Sequence, residues 1–242
     1  MRIVIAKDYD DMSRRAASVL AGVMLSRADC ILGLATGSSP IGTYRELIRL
    51  NQEGIIDFSK VRSFNLDEYY RLPGTHDQSY NYFMHHQLFD HVNIAKDAMH
   101  FPDQMSDDPG YGKAYDDKIA AAGGIDIQLL GLGHDGHIGF NEPQDDFPEY
   151  THRVKLTGMT IQANKRFFAS EQEVPREAVT MGIGTIMRAR QILMVVSGTD
   201  KARTVREMAE GPVTPQCPAS VLRFHPNVTV ILDEAAASLL TR

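Results

Sequence analysis

Cysteine is scarce in this chain: Cys30 and Cys217 are the two in 242 residues, and no CxxC pair occurs. That excludes a framework of disulfide bridges and suits a reducing cytoplasm. Each thiol reads as a small buried hydrophobe. No stripe of lysine and arginine stands out, and the formal net charge is −6. Nucleic acid is therefore not an expected partner. No apolar run approaches the roughly 20 residues of a membrane span, so no membrane partner is expected either. The opening "MRIVIAKDYDD" turns acidic too soon for a signal peptide and reads as a first buried strand. Repeats, low-complexity tracts and Pro/Gly linkers are missing too, which predicts one domain over residues 1–242.

What is present is an alternating pattern. Hydrophobic residues make up 43% of the chain and charged ones 23%, enough for a real core under an ordinary surface. Short apolar runs at 2–6, 30–35, 61–66, 99–101, 126–132, 153–156, 191–196 and 228–232 predict strands. Several, such as "CILGLA" and "QILMVV", are apolar throughout, as strands buried on both faces of a parallel sheet are. Amphipathic stretches at 10–26, 41–52, 79–89, 112–122 and 199–210 predict helices between them. The alternation argues for an α/β fold with an open, doubly wound, mostly parallel sheet. Residues 150–188 break the pattern with one strand, a polar helix around "QANKRFF" and loops, and read as a lid or insert. Open parallel sheets bind ligands beyond the carboxyl ends of their strands, so unusual polar sets just after strands share one crevice.

Four such sets occur. In "LGLATGSSPIGTYREL" a buried strand runs into Thr36, Gly37, Ser38 and Ser39, with Ser39 as N-cap and Pro40 as first helical residue. Backbone N–H groups of such a loop can face an anion at the helix's positive end, most naturally a phosphate. It lacks the GK[ST] of a Walker loop and the GxGxxG of a dinucleotide fold, and a plain capped turn is the alternative. In "VRSFNLDEYYRLP", Asp67 and Glu68 directly follow a strand. Among Phe64, Leu66, Tyr69 and Tyr70, Asp67 can gain a raised pKa and serve as a general base. A solvated acidic pair opening a loop is the bland reading. In "GLGHDGHIGFNEP", Asp135 and His137 can meet across Gly136 so that the carboxylate fixes the imidazole tautomer, and Glu142 can return to complete a relay. A metal held by His134, Asp135, His137 and Glu142, with His152 nearby, is the rival, against which stand a spacing unlike HExxH and the lack of a thiolate. A polar turn with a structural histidine is the third possibility. Finally, Arg166 in "QANKRFF" and Lys201 in "SGTDKA" are cations that can join an anion site, although a solvated charge is the ordinary fate of either alone.

Together "LGLATGSSPIGTY", "FNLDEYY", "GLGHDGHIGFNEP", "ANKRFF" and "SGTDKA", in this order, closely resemble the glucosamine-6-phosphate deaminase (isomerase) family over essentially the whole chain. The resemblance implies a Rossmann-like open sheet with a lid, shared with the 6-phosphogluconolactonases. It implies conversion of glucosamine 6-phosphate and water to fructose 6-phosphate and ammonium, with no metal or organic cofactor. By motif position, Asp67 resembles the base that moves the C2 proton to C1. His137, assisted by Asp135 and Glu142, resembles the group that opens the sugar ring. Thr36, Gly37, Ser38, Ser39, Arg166 and Lys201 resemble the phosphate clamp. Arg153 and Lys155 in "THRVKL" resemble a basic pair that binds an activating sugar phosphate in longer, hexameric members. Those members carry a C-terminal extension that "DEAAASLLTR" does not match, so a non-allosteric form is expected, as a monomer or a homo-oligomer.

Two other readings remain. A 6-phosphogluconolactonase shares a "DGH" turn but continues differently and needs no base such as Asp67. A sugar-phosphate sensor of a transcription regulator carries a DNA-binding segment ahead of the sensor, for which the first strand at Arg2 leaves no room.

Overall fold

The computed structural model describes residues 1–158, 161–162, 168, 170 and 173–241. Its order begins β1 (Arg2–Ala6), α1 (Tyr9–Ser26), β2 (Ile31–Leu34), α2 (Ile41–Gln52) and β3 (Arg62–Asn65). There follow β4 (Asp67–Tyr69), α3 (Tyr80–Gln87), β5 (Met99–His100), α4 (Tyr111–Ala121) and β6 (Ile127–Leu130). The chain continues through β7 (His152–Lys155), β8 (Glu177–Thr180), α5 (Ile183–Met187), β9 (Ile192–Val196), α6 (Ala202–Glu210) and β10 (Val228–Asp233).

Seven strands form one sheet in the order β1-β10-β9-β6-β2-β3-β5, and every neighbouring pair is parallel. From β2 the chain winds outward through β3 and β5. From β6 it winds the other way through β9 and β10. The central strands β2, β6 and β9 are buried at every residue, as their apolar runs require. Helices cover both faces. Met12, Ala16 and Leu20 of α1, Tyr44 and Leu47 of α2 and Met84 of α3 pack on one side with Leu32, Leu34 and Leu129. Tyr115 and Ile119 of α4, Ile183 and Ile186 of α5 and Val205 and Met208 of α6 pack on the other with Ile31, Leu130 and Met194.

Local signals account for the helix starts. Asp8 caps α1 by accepting from the Asp11 N–H, and Asp10 and Asp11 place negative charge in its first turn. For α2 the cap differs from the sequence expectation. Pro40, not Ser39, occupies the cap position, with no side-chain cap bond. The Tyr9 hydroxyl takes over instead, accepting from the Gly42 N–H at 2.8 Å and donating to the Ser38 carbonyl at 3.0 Å.

The first strand departs from expectation as well. It is the sheet's outer edge rather than a buried strand, with Ile3 and Ile5 each more than a third exposed. A second sheet, not foreseen, pairs β4 with β8 and β8 with β7, all antiparallel. Residues 150–188 thus hold a second strand, β8, and the short helix α5 besides the expected strand at β7. The helix expected around "QANKRFF" lies outside the described residues, apart from Gln162 and Phe168.

The segment that leads into β7 is clamped. Asp116 of α4, itself buried, accepts the Thr151 N–H at 2.9 Å and the Thr151 and Thr185 hydroxyls at 2.7 and 2.9 Å. Gly112 makes room, since a Cβ there would sit 1.9 Å from the Thr151 carbonyl oxygen. Asp116→Ala strands those three donors. It should lower stability by about 2–4 kcal/mol, read as a reduced urea midpoint at unchanged m-value.

Candidate active site

The outward windings part between β2 and β6, which pair through Leu32 with Ile127 and Gly33 with Gln128. A switch of this kind leaves a crevice beyond the strands' carboxyl ends, because the two following loops turn to opposite faces. Here those loops are 35–39 and 131–139, and both line a cleft of about 510 Å³. Leu66, Asp67, Tyr80, Phe140, Ser197, Asp200 and Lys201 complete its described lining. The volume suits a ligand of small-molecule size.

Two glycines let the 131–139 loop turn its polar groups inward. Gly136 has φ +86°, a conformation that side chains disfavour, and a Cβ on it would meet the Cys217 sulfur at 2.6 Å. Gly133 lies against the His137 imidazole, where a Cβ would come within 2.3 Å of the ring. The result is the expected pair. His137 Nδ1 lies 2.6 Å from Asp135 Oδ1, which also accepts the His137 N–H at 3.2 Å. Burial pushes the Asp135 carboxyl up, but the bond and charge of His137, with backbone N–H groups, outweigh it and hold the carboxyl below its usual range. An ionised Asp135 draws the ring proton to Nδ1 and leaves Nε2 as the acceptor.

The other members of that stretch separate. His134 is exposed at the cleft's mouth, its Nε2 2.8 Å from Asp200 Oδ2. Glu142 is buried, and its carboxylate accepts the Thr157 N–H and hydroxyl, both at 3.1 Å. It is not among the described residues lining the cleft, whereas Asp135 and His137 are.

Asp67 and Glu68 are not a solvated pair. Both are buried, as the first residues of β4. Asp67 lines the cleft, yet no hydrogen-bond donor reaches its carboxylate among the described residues. Burial, followed by the charge of Glu68, holds its carboxyl well above the usual range. The phenols of Tyr44, Tyr80 and Tyr115 also sense its charge. Two of them spend their protons elsewhere, Tyr44 on the Ala35 carbonyl and Tyr115 on that of Asn65. A buried carboxylate with so little solvation is a strong base for a proton that arrives inside the cleft.

Thr36, Gly37, Ser38 and Ser39 line the same cleft, and Gly37 has φ +93°. Lys201 follows β9 at the end of the turn Thr199–Lys201 and also lines the cleft. Burial lowers its pKa, while Asp200 and Asp135 work against that shift. Arg166 lies outside the described residues. Arg153 is away from the cleft, over the Tyr70 ring at 4.5 Å and within 4.0 Å of Asp107 and Glu177. Its strand neighbour Lys155 is not among the cleft-lining residues either.

The sequence reading missed Tyr80. It lines the cleft, lies nearly parallel to Phe140 at 5.9 Å between centroids, and packs against Tyr69. Its signal is faint, because an aromatic in the first turn of a helix reads as packing.

The model of the glucosamine-6-phosphate isomerases/6-phosphogluconolactonase family matches residues 7–231. The chain belongs to this family. Within it, a glucosamine-6-phosphate deaminase of Clostridioides difficile is 51% identical over 99% of this chain and 97% of its own length. One of Halothermothrix orenii is 50% identical over 99% of this chain and all of its own. Among solved structures, a monomeric glucosamine-6-phosphate deaminase superposes with a TM-score of 0.96 at 41% identity, covering 99% of this chain and 100% of that one. A 6-phosphogluconolactonase from Trypanosoma cruzi, 22% identical with a TM-score of 0.76 over 100% of this chain and 97% of that one, shares the fold.

The buried Asp67 has a thermodynamic signature. Its folded pKa lies above the unfolded value of about 3.9, so the folded state holds the proton more tightly. The destabilisation is absent below the unfolded pKa, grows as pH rises and is complete above the folded pKa. Asp67→Asn should therefore be more stable than wild type at pH 7.5, with the gain shrinking towards pH 4. Urea unfolding at both values checks this, and an equal or lower stability at pH 7.5 contradicts it.

Proposed function

We propose that this chain is a glucosamine-6-phosphate deaminase, converting glucosamine 6-phosphate and water to fructose 6-phosphate and ammonium. The observation that carries this reading is a single cleft with a buried carboxylate, Asp67, that has no hydrogen-bond donor among the described residues, and a hydrogen-bonded Asp135–His137 pair on its walls. It is supported by about 50% identity, over nearly full length, to proteins of that name. The chain acts as one catalytic domain over residues 1–242, with the segment 150–188 as its lid. It works in the cytoplasm and as a monomer, like the deaminase of that description at 41% identity. Arg153 already faces Asp107 and Glu177, which favours a non-allosteric form without an activator at Arg153 and Lys155.

The roles follow from the chemistry each step needs. The pyranose must lose the C1 hydroxyl proton while its ring oxygen gains one. His137 does both through Nε2, with Asp135 stabilising the imidazolium between the two transfers. Glu142 assists the same step, as its motif position implies. Asp67 then takes the C2 proton of the open-chain aldehyde, which leaves the C1–C2 enolamine as O1 gains a proton, and returns the proton to C1 to give the C2 iminium. Water adds to C2 of that iminium, and the carbinolamine so formed expels ammonia and becomes the C2 ketone. No electron sink is required, because C1 is already a carbonyl in the open chain.

The phosphate is remote from these bonds. Held by Thr36, Gly37, Ser38, Ser39 and Lys201, with Arg166 reaching it from the lid, it fixes a flexible open chain. A lactonase would use the histidine alone, and Asp67 would then have no task. The bare carboxylate therefore favours the deaminase.

The direct test is ammonium release from glucosamine 6-phosphate against hydrolysis of 6-phosphogluconolactone. Release is expected from the first, and lactone hydrolysis without ammonium would reverse the assignment. Asp67→Asn should abolish exchange of the C2 proton with solvent, a loss of roughly 10²–10⁴-fold, while phosphate-bearing ligands still bind. His137→Gln should slow the ring-closed amino sugar more than the keto sugar of the reverse reaction. Equal losses would remove the ring-opening role.

A further inference from the structure

Glu68 is wholly buried, next in sequence to the proposed base, and the steps above do not use it. Its carboxylate is fully committed. Oε1 accepts the N–H of Tyr69 at 2.8 Å and of Tyr80 at 2.9 Å, and Oε2 accepts the N–H of Asn81 at 2.8 Å. Tyr80 and Asn81 are the first two residues of α3, and the Ser79 hydroxyl accepts the next free donor, Tyr82. Glu68 thus supplies from β4 what a helix N-terminus lacks, and the positive end of α3 in turn favours its charge. The same contact fixes Tyr80, whose ring lines the cleft beside Asp67.

A second constraint acts along the strand. β4 is three residues long, and Asp67, Glu68 and Tyr69 pair with Thr180, Val179 and Ala178 of β8. Side chains alternate across a strand, so Glu68 turned to α3 leaves Asp67 turned the opposite way. A slip by one residue would bring the wrong carboxylate into the cleft.

We propose that Glu68 is the positioning residue of the proton-transfer step: by locking β4 to the N-terminus of α3 it aims the Asp67 carboxylate and the Tyr80 ring into the cleft. The proposal rests on the deaminase reading. Burial pushes the Glu68 carboxyl up, while the N–H groups of Tyr80, Asn81 and Tyr69 work against that shift; once ionised, it is a buried anion one residue away that makes Asp67 harder to ionise and hence more basic. The other groups facing Asp67 are the phenols of Tyr44 from α2, Tyr80 from α3 and Tyr115 from α4, none of which is cationic. Lys201 and His137 share the cleft.

The test is steady-state kinetics and C2-proton exchange with glucosamine 6-phosphate, on wild type, Glu68→Gln, Glu68→Asp and Asn81→Pro. Glu68→Gln keeps the length but loses the charge and turns an amide N–H towards a backbone donor. It should lower kcat and exchange together by about 10²-fold, the scale of a 1 Å misplacement, with KM within a few-fold of wild type. The acid limb of its kcat profile should move to lower pH, because a less basic Asp67 ionises sooner. Glu68→Asp keeps the charge without the reach, and should lose kcat with a smaller shift of that limb. Asn81→Pro deletes one donor in a first turn that accepts proline, and should lower kcat in the same direction. Wild-type kcat in Glu68→Gln, or a loss carried by KM with an unmoved acid limb, overturns the proposal. Failure of all three variants to fold assigns Glu68 to the fold alone and overturns it too. The wild-type assay keeps the two ideas apart. No ammonium from wild type removes the deaminase reading, whereas an active wild type with a fully active Glu68→Gln removes this one only.

Discussion

The pairing of β2 with β6 is the contact on which the site depends. It joins two strands whose following connections run in opposite directions. At its centre Gly33 faces Gln128, and a Cβ on Gly33 would fall 2.1 Å from the Gln128 amide oxygen. The glycine lets a long polar side chain lie across the sheet where the two halves meet. From that junction the loop 35–39 departs on one side and the histidine loop 131–139 on the other. Asp67 and Lys201 arrive from β4 and from the end of β9 because those segments flank the junction. A crevice built this way needs no dedicated pocket-forming element, since the winding of the sheet leaves it open.

Within the crevice the protein separates two kinds of carboxylate. Asp135 is bonded to His137 and kept ionised, so it steadies charge on the ring. Asp67 is buried without a donor among the described residues and kept basic. Environments that push two acids in opposite directions let one cleft hold a charge stabiliser and a proton acceptor at the same pH. A carboxylate with its pKa raised in this way is costly to bury, and the surrounding order reflects that. Glu68 and Tyr80 are held by α3, Tyr115 by the Asn65 carbonyl and Tyr44 by that of Ala35.

Much of this was legible in the sequence, for identifiable reasons. The apolar runs of β2, β6 and β9 are long and unbroken, and each declares a strand buried on both faces. "HDGH" announces a carboxylate–imidazole contact because one glycine separates the partners and their bond is local. What escaped depends on distant partners. β4 carries two carboxylates and has no pattern of its own; it is a strand because Thr180, more than a hundred residues away, lies opposite Asp67. Ser39 looked like a cap, but Tyr9 reaches α2 from another helix. Ile3 and Ile5 suggested burial, yet β1 has β10 on one side and no strand on the other. Glu142 also bonds Thr157, fifteen residues further on, a contact that nothing local in the sequence announces.

The Tyr9 phenol also has a mechanical meaning. It is the first residue of α1, three residues beyond the edge strand, and one hydroxyl joins it to Ser38 in the turn after β2 and to Gly42 in the first turn of α2. Tension applied at Met1 would run down β1 into α1 and arrive, through a single oxygen, at a loop that lines the cleft. For a tethered or surface-coupled form of this protein, the carboxyl terminus is the end to hold.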